Sequence, residues 1–333
     1  MRLKADLTLL LVSIIWGSAF VAQRVAGQMN SVYLFNGARY LLAALVVLPF
    51  AVRSLRDTRR GIEIPASAHG SPLKRTADAP ADFSRLSRVE WGDSSPAVPR
   101  AQFKWMFIAG FILFLGSAFQ QVGVVYTTAG NAGFITALYV VLVPIVLFIG
   151  WRERLHWLAL AAVGMAVGGA YLLSTGGRFE VRAGDALELV SALFWAFHVV
   201  VLGKFAAQFE SKSFSVGQLA VCGSLNLLVG IFVEKSLPLD WTLAAAIAYT
   251  AFFSLGLCYT LQIWAQRHTP PADAALILSL ESVFAVLAGW LLLDEMLTPI
   301  QILGCALIFA AVILSQFKEW TSGTISASHP PGG

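Results

Sequence analysis

Three ionisable side chains lie inside apolar stretches of the chain, where they could bind charge or transfer protons. Glu281 lies eight residues beyond Asp273, roughly 12 Å along a helix. His198 lies six residues before Lys204, about 9 Å from that end, so the two depths are similar. Arg39 is seven residues inside another stretch. Because an ionised group at bilayer depth costs about 2.5 to 3.5 kcal/mol, each is expected to face a cavity or a partner.

Two roles stay open for each of these groups. Glu281 and His198 could exchange protons, or they could hold helices together through neutral hydrogen bonds. Arg39 cannot deprotonate, so it needs acceptors from the backbone, a carboxylate or an anionic substrate. Glu188 and Arg24 lie near the ends of apolar stretches, and we expect their polar ends to extend toward water.

Aromatic and amide side chains in the same stretches could line a pocket for amphipathic molecules, although helix packing would also explain each of them. The candidates are Trp16, Tyr139, Trp195, Gln120 and Asn131, together with Gln121, Asn226 and Gln262.

The elements that position these residues are predicted to be transmembrane helices. The 333 residues are 57% hydrophobic and 13% charged, whereas a soluble domain is about 25% charged. This composition excludes a soluble globular enzyme. Ten apolar stretches are long enough to cross a bilayer: 7–22, 32–52, 103–123, 128–150, 157–174, 184–202, 214–233, 243–263, 273–293 and 299–316.

The remaining segments give little sign of other folded domains. Residues 53–102 are charged and proline-containing, and we predict a disordered loop there and a disordered tail at 321–333. Cys222, Cys258 and Cys305 fall inside apolar stretches without metal-binding spacing. The sequence therefore predicts no metal, cofactor or nucleic-acid partner.

The distribution of positive charge predicts the orientation. With the N-terminus inside, 18 of the 23 Lys and Arg residues are cytoplasmic, and Arg24, Arg178, Arg182 and Lys235 are outside. Because cytoplasmic loops carry the excess of Lys and Arg, both termini are predicted to lie in the cytoplasm, at the inner membrane.

The two halves of the chain are predicted to be an internal repeat. At an offset of 142 residues, Tyr139 corresponds to Glu281, and a shared Glu-x-Leu places Glu153 and Leu155 on Glu295 and Leu297. Five spans per half would invert the second copy relative to the first. We therefore predict an all-α integral membrane protein with two inverted five-helix repeats, at 1–174 and 175–320.

Three groups of residues resemble the EamA-type branch of the drug/metabolite transporter superfamily: Trp16-Gly17-Ser18-Ala19-Phe20, Ala38-Arg39-Tyr40, and Leu280-Glu281 with the run from Gly289 to Glu295. The resemblance covers everything except the loop and the tail. Where the family often has Glu-Pro, this chain has Glu281-Ser282, which removes an expected kink.

The resemblance implies a secondary transporter that exports small metabolites, amino acids or amphipathic drugs by alternating access. We expect Glu281, near His198, to couple transport to protons. The alternatives are an intramembrane enzyme acting on lipid, with His198 and Glu188 or Glu281 as acid and base, and a receptor or scaffold. Small-residue pairs, Gly164 with Gly168 and Ala306 with Ala310, predict close packing of the fifth and tenth spans or a homodimer through them.

Overall fold

The computed structural model describes residues 1–28, 31–62, 100–126, 132, 135–153, 156–175, 183–206, 209–234, 236, 240–293 and 298–326. These residues are almost entirely helical, and no strand occurs among them. The helices of the first half are α1 (Arg2–Gln28), α2 (Tyr33–Ile62), α3 (Arg100–Tyr126), α4 (Tyr139–Trp151) and α5 (Trp157–Thr175). Those of the second half are α6 (Ala183–Lys204), α7 (Ser211–Val233), α8 (Trp241–Tyr249), α9 (Cys258–Ala265), α10 (Pro271–Leu278), α11 (Glu281–Leu293) and α12 (Pro299–Ser326). A π-helix, Thr250–Leu257, joins α8 to α9.

The helices have the length and surface of membrane spans. Within the described residues, seven stretches are long and apolar enough to cross a membrane, and three shorter apolar helices accompany them. Large apolar side chains such as Ile149, Phe232 and Trp241 are exposed, whereas Asn36 and His198 are buried. An exposed apolar surface around polar interior groups is expected when lipid surrounds the protein.

Helix ends extend into segments predicted as loop and tail. α2 continues to Ile62, α3 begins at Arg100, and α12 continues to Ser326. The rest of the predicted loop, residues 63–99, and the end of the predicted tail, residues 327–333, lie outside the described residues.

Glycines allow two helix pairs to approach closely. A Cβ atom at Gly17 of α1 would lie 2.5 Å from the Cβ of Phe284 and 2.7 Å from the backbone oxygen of Glu281. A Cβ atom at Gly169 of α5 would lie 2.7 Å from the backbone oxygen of Gly304 in α12. α1 therefore packs directly against the backbone that carries Glu281, and α5 packs against α12.

Two helical breaks occur at positions that correspond in the predicted repeat. In the first half, the amide of Leu138 donates to the oxygen of Ile135 at 3.1 Å, and in the second half Leu280 donates to Ile277 at 3.2 Å. These i to i+3 bonds tighten the chain where α4 and α11 begin. The two bonds are related by the 142-residue offset that aligns Tyr139 with Glu281.

The second break forms without a proline. The Ser279 hydroxyl donates to the oxygen of Leu276 at 2.7 Å, and the Ser282 hydroxyl donates to the oxygen of Ser279 at 2.8 Å. Such side-chain bonds to the preceding turn bend helices. The helix is therefore interrupted before Glu281 although Ser282 replaces the proline, contrary to our expectation that the kink would be lost.

Candidate functional site

A cavity lies between the helices of the two halves, with an empty volume of about 600 Å³ that includes its open part. Seven residues predicted from the sequence line it: Trp16, Arg39, Gln120, Tyr139, Trp195, His198 and Glu281. Asn131, the eighth, lies outside the described residues. The structure thus brings the predicted residues to one place, and their binding of a ligand remains a prediction.

The remaining lining residues were mostly missed by the sequence analysis. Gln262 was considered there, whereas Gln121 and Asn226 do not line the cavity. The missed residues are Phe20, Gln23, Tyr40, Thr136, Val199, Ser254, Leu255, Tyr259 and Leu278. Phe20 and Gln23 follow Trp16 at i+4 and i+7, so helical periodicity could have identified them. α5 and α12 contribute no described residue to the lining.

The π-helix shapes one wall of the cavity. In an α-helix the amide of Cys258 would donate to the oxygen of Ser254, but here it donates to the oxygens of Phe253 and Leu255. The oxygen of Ser254 accepts the indole N–H of Trp16 at 2.7 Å instead. Because π-helical turns frequently accompany functional sites, this departure supports the assignment of the cavity as the site.

Two aromatic rings contact the imidazole ring of His198 and fix its orientation. Its ring lies edge-on to Tyr259 at 5.6 Å and to Trp195 at 6.3 Å between centroids. Its Nε2 lies 3.0 Å from Oε1 of Gln218. His198 and Glu281 share the cavity as their depths predicted, but no hydrogen bond or ion pair joins them within the described part of the chain.

Arg39 lies at one side of the cavity with only neutral acceptors around it. Its side chain is buried, with the residue 2% exposed. Nε donates to Oδ1 of Asn36 at 3.0 Å and Nη2 donates to Oε1 of Gln23 at 3.4 Å. The guanidinium carbon lies 4.9 Å from the ring centre of Phe35 and 5.3 Å from that of Tyr40. Among the described residues no carboxylate pairs with it, so its positive charge is not neutralised there.

Glu281 is a second buried ionisable group in the cavity, and its charge would be opposite to that of Arg39. It is the first residue of α11, 7% exposed, and it lines the same cavity. Tyr139 lines the same cavity, and its hydroxyl lies near enough to Glu281 to interact, yet that hydroxyl forms no hydrogen bond of standard geometry in the described structure. No Lys, Arg or His pairs with Glu281 among these residues.

Glu188 does not extend toward water as the sequence analysis expected. The residue is fully buried, and a Cβ atom at Gly123 would lie 2.8 Å from its Oε1. The Thr136 hydroxyl donates to Oε2 of Glu188 at 3.2 Å, and Gln120 donates to the Thr136 hydroxyl at 3.1 Å. α3 presents a glycine at this level, and the space it leaves is occupied by the carboxyl group. Glu188 therefore supports the cavity wall from behind Thr136.

A polar cluster connects the two halves at the end of α1 remote from Gln23. Arg2 lies within 3.0 Å of Asp6 and 2.9 Å of Asp273, and Thr269 donates to Asp6 at 2.8 Å. We call these four residues the Arg2 cluster. It ties the start of α1 to the start of α10, roughly 30 Å along α1 from Gln23.

The described residues hold no group of three or more His, Cys, Asp or Glu side chains able to bind a metal ion. The polar groups that line the cavity include Arg39, Glu281, His198 and hydrogen-bonding aromatic side chains. This set can bind a polar or charged small molecule.

Comparison with known proteins agrees with this architecture. The model of the EamA-like transporter family matches residues 88–175 and 182–317. An uncharacterized transporter of Archaeoglobus fulgidus is 33% identical over 95% of this chain and 87% of its own length. The threonine/homoserine exporter RhtA of Escherichia coli K12 is 26% identical over 46% of this chain and 52% of its own length.

A solved crystal structure superposes with a TM-score of 0.70 at 14% identity, covering 95% of this chain and 99% of that one. This likeness shows a shared fold. The predicted resemblance is confirmed, and it indicates a multi-pass membrane transporter rather than an intramembrane enzyme. The chain belongs to the EamA-like transporter family.

Proposed function

We propose that the chain is a secondary transporter that exports small metabolites, amino acids or amphipathic drugs across the cytoplasmic membrane by alternating access. The observation that carries the proposal is Glu281, which begins α11 at a helical break and lines the cavity. Secondary transporters typically bind their substrates where helices are interrupted near the membrane midplane.

Two inverted five-helix repeats are part of this proposal. The breaks at Leu138 and Leu280 support it, because they are 142 residues apart and are followed directly by Tyr139 and Glu281. In such a repeat, rocking of one half against the other would expose the cavity to each side in turn. The Arg2 cluster would then hold the cytoplasmic side closed.

Proton coupling is proposed through Glu281. A carboxyl group with no cationic partner at this depth can carry a proton while the cavity faces one side and release it on the other. Tyr139, His198, Arg39 and Tyr259 line the cavity with it. Since His198 is hydrogen-bonded to Gln218, we assign the coupling to Glu281 and a supporting role to His198.

The orientation and assembly are also proposed. We place both termini in the cytoplasm, which reporter fusions at each end would test. We place a homodimer contact on α5 and α12, because added Cβ atoms at Gly164 and Gly168 would meet nothing within 4 Å in the described chain. The mass of the purified protein in nanodiscs, compared with that of Gly164→Leu, would test the dimer.

The experiment that tests transport is flux into liposomes that contain the purified protein. Vesicles are loaded with single amino acids, metabolites or amphipathic cations, and exchange with labelled external solute is measured with and without a pH gradient. Saturable exchange that empty vesicles lack would support the proposal. Absence of flux for every solute, with specific ligand binding retained, would favour a receptor or scaffold.

A further inference from the structure

The cavity contains two buried groups of opposite charge that lack oppositely charged partners among the described residues. Arg39 is on α2, and Glu281 is on α11. Both are more than nine-tenths buried, and both line the cavity. Neither group is required to neutralise another side chain, so both are available to a ligand.

The hydrogen bonds of Arg39 leave much of its binding capacity unused. A guanidinium has five N–H donors, and in the described structure only one at Nε and one at Nη2 reach acceptors. Those acceptors are neutral amide oxygens. A carboxylate is a stronger partner for a guanidinium than an amide, because it carries charge and can accept two hydrogen bonds at once.

The aromatic residues that line the cavity with Arg39 and Glu281 favour a ligand with an apolar body. Trp16, Trp195, Tyr40, Tyr139 and Tyr259 supply aromatic surface. Aromatic faces contact apolar groups and also attract cations, so an ammonium group near Glu281 would be stabilised by the neighbouring rings.

We propose that the cavity is selective for zwitterionic solutes, whose carboxylate binds Arg39 and whose ammonium group binds Glu281. This inference rests on the proposed transport function and specifies the solute class for the same cavity. A zwitterion would neutralise both buried charges at once. A solute with one charge would leave either Arg39 or Glu281 without a partner at bilayer depth, which is unfavourable.

Ligand-dependent thermal unfolding of the purified wild-type protein tests the selectivity directly. The probes are two zwitterions with different charge separation, phenylalanine and 6-aminohexanoate. Their singly charged analogues are 3-phenylpropionate and phenethylamine for the first, and hexanoate and hexylamine for the second. We expect at least one zwitterion to raise the unfolding temperature at concentrations tenfold lower than either of its analogues. If no zwitterion exceeds its analogues, the proposal is wrong.

Variants then assign the two poles. Arg39→Gln should weaken zwitterion binding at least tenfold without weakening binding of the amine analogues. Glu281→Gln should also weaken zwitterion binding at least tenfold, but without weakening binding of the acid analogues. Arg39→Lys, which keeps the positive charge, should retain more affinity than Arg39→Gln. Equal affinities of the wild type and both neutral variants would overturn the assignment. Zwitterion binding without flux would contradict transport while leaving the selectivity intact.

Discussion

Nη2 of Arg2 lies 2.9 Å from Oδ2 of Asp273, a residue 271 positions further along the chain. The same arginine binds Asp6 on its own helix. One cation thus holds carboxylates from the first helix and from the half-helix that precedes Glu281. Separation of the two halves at this end requires this contact to break.

Asp273→Asn should open the cavity more often at the end where the Arg2 cluster lies, because the amide keeps the shape but loses the charge that binds Arg2. In a background without native cysteines, Leu278→Cys reports access to the cavity. We expect a polar thiol reagent to label it several times faster when Asp273 is replaced. Glu153→Gln is the matched control, since it removes the ion pair with Lys204 and leaves the Arg2 cluster intact. Equal labelling rates in Asp273→Asn and the parent would contradict the gate.

Gly17→Ala should destabilise the protein, because the new methyl group would meet Phe284 and the α11 backbone at 2.5 to 2.7 Å. Overpacking of this kind costs about 1 to 3 kcal/mol. Thermal unfolding in detergent would measure the loss. Gly150→Ala in α4 is the control, because nothing lies within 4 Å of the added atom and alanine favours helix. A Gly17 variant as stable as the Gly150 variant would contradict the close packing of α1 against α11.

Glu281→Gln should abolish the response of flux to a pH gradient, because the amide cannot carry a proton. We expect gradient-driven accumulation to fall at least tenfold, while exchange at equal pH persists when the solute is supplied at saturating concentration. Glu188→Gln is the matched control, since Glu188 is a buried carboxyl group that does not line the cavity. Unchanged accumulation in Glu281→Gln would make this residue structural and favour transport without proton coupling.

Replacement of residues 63–99 by a short Gly/Ser linker should leave transport intact, since the sequence there has no periodic apolar face that could pack on the helices. The replacement keeps α2 to Ile62 and α3 from Arg100. Flux into vesicles, normalised to inserted protein, is the measurement. Loss of flux with normal insertion would give this segment a functional role.

Residues with an unusual polarity for their surroundings were identifiable from the sequence, because a charge in an apolar stretch is conspicuous. Arg39, His198 and Glu281 were found in this way, and the helical periodicity around Trp16 points to Phe20 and Gln23. The exposure of Glu188 was predicted wrongly, because the prediction considered only its distance from the end of its own helix. Its burial depends on α3, where Gly123 leaves space for the carboxyl group.

The helical breaks and the π-helix were harder to anticipate. A proline would have predicted a kink from the sequence. Here Ser279 and Ser282 bend the helix instead, through hydrogen bonds from their hydroxyls to backbone oxygens. Thr250–Leu257 contains no residue that specifies π-helical turns. Ser254 and Tyr259 were missed for that reason, because their positions on the cavity wall depend on the register of this segment.

The π-helix also determines the rotational phase of the residues that follow it. Each residue of an α-helix turns the chain by about 100°, and a π-helical segment accommodates a register shift of one residue. Deletion of one residue between Thr250 and Leu257 would therefore rotate Tyr259 and Gln262 away from the cavity, while Trp241 and the start of α8 stayed in place. The π-helix thus sets the rotation of α9 relative to α8 within one continuous helical segment. Apolar side chains of α8 can then face lipid, while Tyr259 and Gln262 of α9 face the cavity.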